Sequence, residues 1–291
     1  MIPEAVRQAI KAAVGVGVAQ ERAVYGGDIN QTACVTLRDG ERLFVKWNRD
    51  ADNGFFEAEA HGLRKLAEAQ AVRVPAVVAA GSDPAFLALE WIDEARGSVD
   101  RESVAERLGR GLAALHRHMA ERHGLERDNF IGSIPQINTP SASWVEFYRE
   151  CRLGVQMAIA RQRGRLPRER EERLVRLQER LDRWLDDETM PPSLLHGDLW
   201  GGNYMVAGGG EPVLIDPAVY YGHRETDLAM TELFGGFPPR FYRAYRETYP
   251  LDPGYEERRD LYQLYHLLNH MNLFGGGYAS RVDSILRYYV G

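Results

Sequence analysis

The chain has 291 residues, 44 % apolar and 27 % charged, with 36 basic against 42 acidic side chains and a net charge of −6. That length supports a sizeable core as one large domain or two lobes, and the acidic balance argues against a nucleic-acid binder, which carries a basic excess. Two widely separated cysteines, Cys34 and Cys151, argue against a disulfide framework and favour a reducing, cytoplasmic setting. The N-terminus does not read as a signal peptide, and no stretch nears the ~20 apolar residues of a membrane span.

In chain order, residues 3–13 have the spacing of a short amphipathic helix, with Val6, Ala9, Ile10 and Ala13 on one face. Residues 21–47 change character, to three β-prone runs separated by GGDIN and RDG, and these predict a small antiparallel sheet. A helix is expected from Phe55 to Gln70, carrying Phe56, Ala60, Leu63 and Leu66 on one side. RVPAVVAAGSDPAFLALEWI then adds two strands ending near Ile92. Segments 100–122, 143–163 and 168–187 have helical length and periodicity. A β signal returns at 193–216 as a hairpin, and helices close the chain from about 226 to 290. The arginine-rich run RQRGRLPREREERLVRLQERLDRW interleaves acids at helical spacing, as a solvated helix face does. The order predicts an α+β, bilobal architecture: a β-rich N-terminal lobe over 1–92 for a nucleotide, and a mainly helical lobe over 93–291 for catalysis and substrate, with the site in the cleft between.

The segment LLHGDLWGGNYMV, 194–206, carries the chemistry. Asp198 and Asn203 stand at the D-x-x-x-x-N spacing of a kinase catalytic loop, and Asp216 follows in VLID after a strand, a glycine-rich turn and a second strand. Phosphoryl transfer demands a carboxylate to take the proton of the attacking hydroxyl, hard oxygen ligands for Mg²⁺ and a lysine on the nucleotide phosphates. Asp198 suits the base and Asn203 with Asp216 the Mg²⁺ ligands. His196 reads as a hydrogen-bonding residue that holds the loop. Lys46, in LFVKWN at the end of the third strand, is placed to reach the nucleotide phosphates of an ATP site, though a strand lysine more often faces solvent. Glu59 on the following helix is its expected partner, because it shares a face with Phe56, Leu63 and Leu66; Glu57 is the competitor. Gly26 and Gly27 of GGDIN offer backbone N–H groups to phosphates, without the full G-x-G-x-x-G pattern. The backbone around Glu90 and Ile92 is placed to meet an adenine edge. His266 and His270, four apart, share a helix face, and packing explains them better than a metal. Cys34, in a strand beside the glycine segment, is the one candidate for a redox-sensing thiol. Neither a G-x-x-x-x-G-K-[ST] P-loop nor a G-x-S-x-G nucleophile occurs.

HGDLWGGN, IDPAVYYGHRETDLAMTELFGGFP and YQLYHLLNHMNLFGGGY together resemble the fructosamine kinase (ketosamine-3-kinase) family; GGDIN, FVKWN, EAEAHGL and NFIGSIPQIN, 129–138, fit it too. The resemblance implies the kinase-like fold of the aminoglycoside phosphotransferases and transfer of the ATP γ-phosphoryl group to the 3-hydroxyl of a free or protein-bound ketoamine. The phosphorylated adduct then leaves its amine, which is a deglycation repair. It also implies Asp198 as base, Asn203 and Asp216 on Mg²⁺, and Lys46 with Glu59 on the phosphates. Trp200 then offers an indole face to the sugar, or packs the loop. The rivals are a kinase of an aminoglycoside, choline or homoserine hydroxyl, and a catalytically silent nucleotide-binding regulator.

Overall fold

The computed structural model describes residues 1–24 and 30–291. Helix α1 (Glu4–Val14) leads into strands β1 (Val18–Ala23), β2 (Gln31–Leu37) and β3 (Arg42–Trp47), then helix α2 (Phe55–Ala69) and strands β4 (Val77–Ser82) and β5 (Ala85–Glu90). The five strands form one antiparallel sheet in the order β1-β2-β3-β5-β4. Because side chains alternate along a strand, the sheet has two distinct faces. Leu43, Val45 and Trp47 of β3, with Phe86 and Ala88 of β5, pack on Ile2, Val6 and Ile10 at α1. Leu87 and Leu89 point the other way, toward Phe56, Ala60, Leu63 and Leu66 of α2. Lys46 takes the α2 side by the same alternation, and that alone carries its ammonium toward the rest of the chain.

The remainder is mainly helical: α3 (Arg101–Leu115), α4 (Trp144–Phe147) running through a π-helical stretch, Tyr148–Gly154, into α5 (Val155–Gln162), α6 (Arg168–Gln178), α7 (Glu225–Leu233), α8 (Pro239–Thr248), α9 (Tyr255–Phe274) and α10 (Ala279–Val290). Its core gathers Trp144, Tyr148, Leu177, Tyr262, Leu268 and Leu286, all essentially solvent-free. Three two-stranded sheets are set among these helices: β6 (Asn129–Ile131) with β7 (Ile134–Gln136), β8 (Ser193–Leu195) with β11 (Tyr220–Gly222), and β9 (Tyr204–Ala207) with β10 (Glu211–Leu214).

Three expectations change. The helix predicted over 100–122 stops at Leu115, although its apolar spacing runs on. The following backbone is drawn out beside β8, where His118 O accepts from Leu194 N and Ala120 N donates to Pro192 O. The helix predicted over 168–187 ends at Gln178 and is followed by a single 3₁₀ turn, Leu181–Arg183. Within 193–216 the hairpin is β9–β10 alone, because β8 pairs with β11 across 27 residues of sequence. The β6–β7 hairpin, too short for a periodicity, was not predicted.

Candidate active site

The loop His196–Asn203 joins β8 to β9, and β10 leads into Ile215 and Asp216, so both acidic positions leave the ends of short strands. Two sharp conformations make the turns. Gly197 has φ 84°, and a Cβ there would stand 2.0 Å from Ala218 O. Asp216 itself holds φ 54°, a left-handed conformation that costs a non-glycine residue energy and persists where the surrounding structure over-determines the backbone.

Hydrogen bonds then lock the two loops together. His196 Nε2–H donates to Ile215 O at 2.9 Å, and its Nδ1 accepts from Asp198 N at 3.3 Å. With both ring nitrogens used and burial holding its pKa below the ordinary value, His196 is a neutral structural residue. Ala218 N donates to His196 O at 2.9 Å, and Ile215 N to Asn203 O at 3.0 Å. Asn203 Nδ2 reaches Asp198 O at 2.8 Å, Asp198 Oδ2 at 3.2 Å and Asp216 O at 3.4 Å. These contacts commit the Asn203 amide nitrogen to Asp198 and to the Asp216 carbonyl.

A cleft of ≈ 820 Å³ brings the predicted residues together. Lys46, Glu59, Glu90 and Ile92 line it from the sheet side, and Asp198, Trp200, Asn203 and Asp216 from the other. Lys46 Nζ lies 2.8 Å from Glu59 Oε1 and 2.5 Å from Asp216 Oδ1, with Lys46 only 5 % exposed. Burial alone would lower the pKa of this ammonium, but the two carboxylates more than offset it and hold it above the ordinary range. Glu57 faces elsewhere and accepts from Ser82 Oγ at 2.7 Å. Burial raises the Asp198 carboxyl to about 7, helped by the negative charge of Asp216 and opposed by the Asn203 hydrogen bond. The Glu90 N–H donates to Ala76 O at 2.9 Å. Trp200 is 42 % exposed, its ring folded over Gly202, where a Cβ would be 2.3 Å from the indole, and edge-on to Phe234. Gly26 and Gly27 lie outside the described residues.

One functional residue was missed by sequence reasoning. Asp227, on α7 and 1 % exposed, accepts from His196 N at 2.7 Å and from Gly197 N at 2.9 Å, and its Oδ2 lies 3.2 Å from His116 Nε2. Although it is buried, these donors hold its pKa below the ordinary carboxylate value. The signal was the acid in GHRETD, shortly beyond β11, which nothing local ties to the loop at 196. His266 and His270 are packing residues: His270 Nδ1 bonds His266 O within an aromatic cluster of Phe234, Phe274 and Tyr278. Cys34 is buried in β2 opposite Phe44.

A family profile for fructosamine kinase matches residues 2–290. The chain belongs to the fructosamine kinase family. A probable ketoamine kinase of Synechocystis is 45 % identical over 275 residues, covering 93 % of this chain and 90 % of that protein. The chloroplastic protein-ribulosamine 3-kinase of Arabidopsis thaliana is 43 % identical over 281 residues, 92 % of this chain and 81 % of its own. A crystal structure from Thermobifida fusca that carries the name of a fructosamine-3-kinase superposes with TM-score 0.87 at 37 % identity, covering 98 % of both chains. The aminoglycoside phosphotransferase APH(4)-Ia, at 17 % identity and TM-score 0.64 over 99 % of both chains, shares the fold, which is the protein-kinase-like one expected.

Proposed function

We propose that this chain is an ATP-dependent kinase that phosphorylates the 3-hydroxyl of ketoamines, and so serves deglycation. The observation that carries the reading is a carboxylate tuned to about 7, Asp198, facing a lysine held between Glu59 and Asp216 across one cleft. A base is most effective when its pKa lies near the working pH. Asp198 takes the proton of the substrate hydroxyl as that oxygen forms its bond to the γ-phosphorus and the bond from phosphorus to the β–γ bridging oxygen breaks, releasing ADP. Lys46, aimed by Glu59, neutralises nucleotide phosphate charge. The Glu90 carbonyl and the Ile92 amide take the adenine edge. Trp200 gives the sugar an apolar face beside the base.

The donor set suits Mg²⁺: the Asp216 carboxylate, its side chain 44 % exposed, and the amide oxygen of Asn203 are hard ligands, and both residues line the same cleft as Asp198. When bound, the ion supplies charge neutralisation on the transferring group. Family membership favours a ketoamine over the choline or aminoglycoside acceptor of proteins that share only the fold. Intact lysine, base and both metal ligands speak against a silent regulator. With both thiols free, the proposed compartment is the cytoplasm.

The test is phosphate transfer followed by mass spectrometry, with ATP, Mg²⁺ and a panel of fructosyl-lysine, ribulosyl-lysine, an aminoglycoside and choline. A phosphate gained by a ketoamine and absent with Asp198→Asn supports the reading and ranks the sugars. Transfer only to another acceptor keeps the chemistry and overturns the substrate.

A further inference from the structure

Behind the stretch that follows Asp216 lies a buried amide network. Asn129 Nδ2 donates to Val219 O at 2.7 Å, and Gln136 Nε2 donates to Ala218 O at 3.0 Å. Asn129 is 5 % exposed and Gln136 1 %. The orientation of each amide is dictated by its neighbours. Asn129 Oδ1 accepts from both Gln136 Nε2 (2.8 Å) and Asn138 Nδ2 (2.9 Å), and Gln136 Oε1 accepts from the Tyr265 hydroxyl (2.7 Å). With the acceptors so occupied, the nitrogens can only face the loop. Two donors thus fix the carbonyls two and three residues after Asp216, a residue whose own left-handed backbone needs support.

The same stretch carries α2. A Cβ on Gly62 would come within 3.1 Å of Val219 Cγ2 and 3.6 Å of Pro217 Cγ, so the helix rests directly on it. The residues around Asn129 also grip that helix: the Phe130 ring stands 4.9 Å from Phe55, and Glu126 lies 2.9 Å from His61 Nε2 and 3.6 Å from Lys65 Nζ. Glu59 on α2 and Asp216, the two carboxylates on Lys46, therefore take their positions from one short hairpin.

We infer that Asn129 and Gln136 are positioning residues that set the Asp216 carboxylate for the metal–nucleotide complex. They act through the Ala218 and Val219 carbonyls, so that the Lys46–Glu59–Asp216 arrangement stands assembled before substrate arrives. The inference rests on the metal role proposed for Asp216.

The experiment compares Asn129→Ala and Gln136→Glu, which keeps the acceptor for Tyr265 and leaves at most one O–H donor in place of two N–H donors, with Asp216→Asn and with Tyr148→Phe. The last removes a buried hydrogen bond to Leu261 O that is not part of the amide network and serves as a stability control. Calorimetry reads ADP affinity with Mg²⁺ and with EDTA, beside kcat, KM and melting temperature. Asn129→Ala and Gln136→Glu are expected to lose about 10-fold of the Mg²⁺-dependent gain in ADP affinity and about 10–100-fold in kcat, as is usual when a ligand's supporting partners are removed. Their ADP affinity in EDTA and their KM for the ketoamine should stay at the wild-type values, and Tyr148→Phe should change only the melting temperature. Should the amide variants fail to fold, Gly62→Ala, which presses on Val219 while leaving the network intact, must show the same loss. Folded amide variants with wild-type metal gain and kcat overturn the inference, as does a wild-type Gly62→Ala where they do not fold. If Asp216→Asn itself keeps the metal gain, the proposed metal site fails instead.

Discussion

Lys46 Nζ lies 2.5 Å from Asp216 Oδ1, joining β3 to the end of the β9–β10 hairpin across 170 positions of sequence. The ion pair is nearly dry on the lysine side, so removing the ammonium strands Glu59 and Asp216 as neighbouring negative charges. Lys46→Met is expected to lower kcat/KM for ATP by roughly 10²–10³-fold, the scale of removing one preorganised charge from a transition state. Glu59→Gln, which keeps a hydrogen bond, should fall by only about 10-fold. Steady-state kinetics decide; a Lys46→Met enzyme within a few-fold of wild type would remove the lysine from the phosphate site.

Asp198 makes two pH predictions. With its carboxyl at about 7, activity that depends on it should fall as pH drops below that value. Asp198→Asn should lose roughly 10²–10⁴-fold in kcat with ATP affinity retained. The ratio of wild-type to variant rates, in which protonation of ATP cancels, should climb with pH and level off above 7. For stability the sign is reversed. A carboxyl whose folded pKa is raised binds its proton more tightly when folded, so its favourable contribution is complete below the unfolded value of 3.8 and is lost as pH rises toward 7. Asp198→Asn should therefore be more stable than wild type at pH 8, by on the order of 1–3 kcal/mol after discounting its partial exposure, and equal to it near pH 4. Thermal melts at both pH values read the difference, and equal melting temperatures at pH 8 would contradict the raised carboxyl.

Asp227 should behave as a keystone of the fold as well as of the site. Asp227→Asn turns an N–H donor toward one of the two backbone N–H groups it now accepts, at a cost of about 3 kcal/mol. In a chain of this size that is roughly 6–12 °C in melting temperature. Because the Asp227 pKa is depressed, its contribution is present above the unfolded value and is lost as pH falls through the folded one. The gap between wild type and variant should therefore be full at pH 7 and shrink on acidification. A gap that widens in acid would reverse the assignment.

Two glycines in one loop should respond differently to alanine. At Gly197 the obstacle is backbone, Ala218 O at 2.0 Å, and φ is positive, so Gly197→Ala should cost more than about 3 kcal/mol and prevent stable folding. At Gly202 the obstacle is the exposed Trp200 ring, 2.3 Å away and able to swing. Gly202→Ala should melt close to wild type while displacing the indole. If Trp200 carries the sugar, KM for the ketoamine should rise roughly 5–20-fold, the scale of one apolar group in a binding pocket, with KM for ATP unchanged. A variant that folds and keeps its ketoamine KM would assign Trp200 to packing.

The constellation from Asp198 to Asp216 was readable from the chain because it is local: nineteen residues hold the proposed base, one proposed metal ligand, a hairpin and the second proposed ligand, and turn chemistry alone returns the last toward the first. The preference for Glu59 over Glu57 followed from the helical period of 3.6. The β6–β7 hairpin escaped because three-residue strands have no measurable period, and the end of α3 because sheet pairing with β8 overrode its apolar spacing.

By itself, then, the sequence determined the α+β order of elements, the lysine strand and the loop that carries Asp198 and Asn203, since short-range spacing and backbone sterics settle these. Only the tertiary structure decided which buried polar groups hold that loop: Asp227 on His196 and Gly197, and Asn129 and Gln136 on the carbonyls after Asp216. An aspartate or amide in a linear sequence looks the same whether it meets water or a backbone partner 90 residues away. The distinction arises when folding removes the water and each buried donor and acceptor must find its counterpart in the chain.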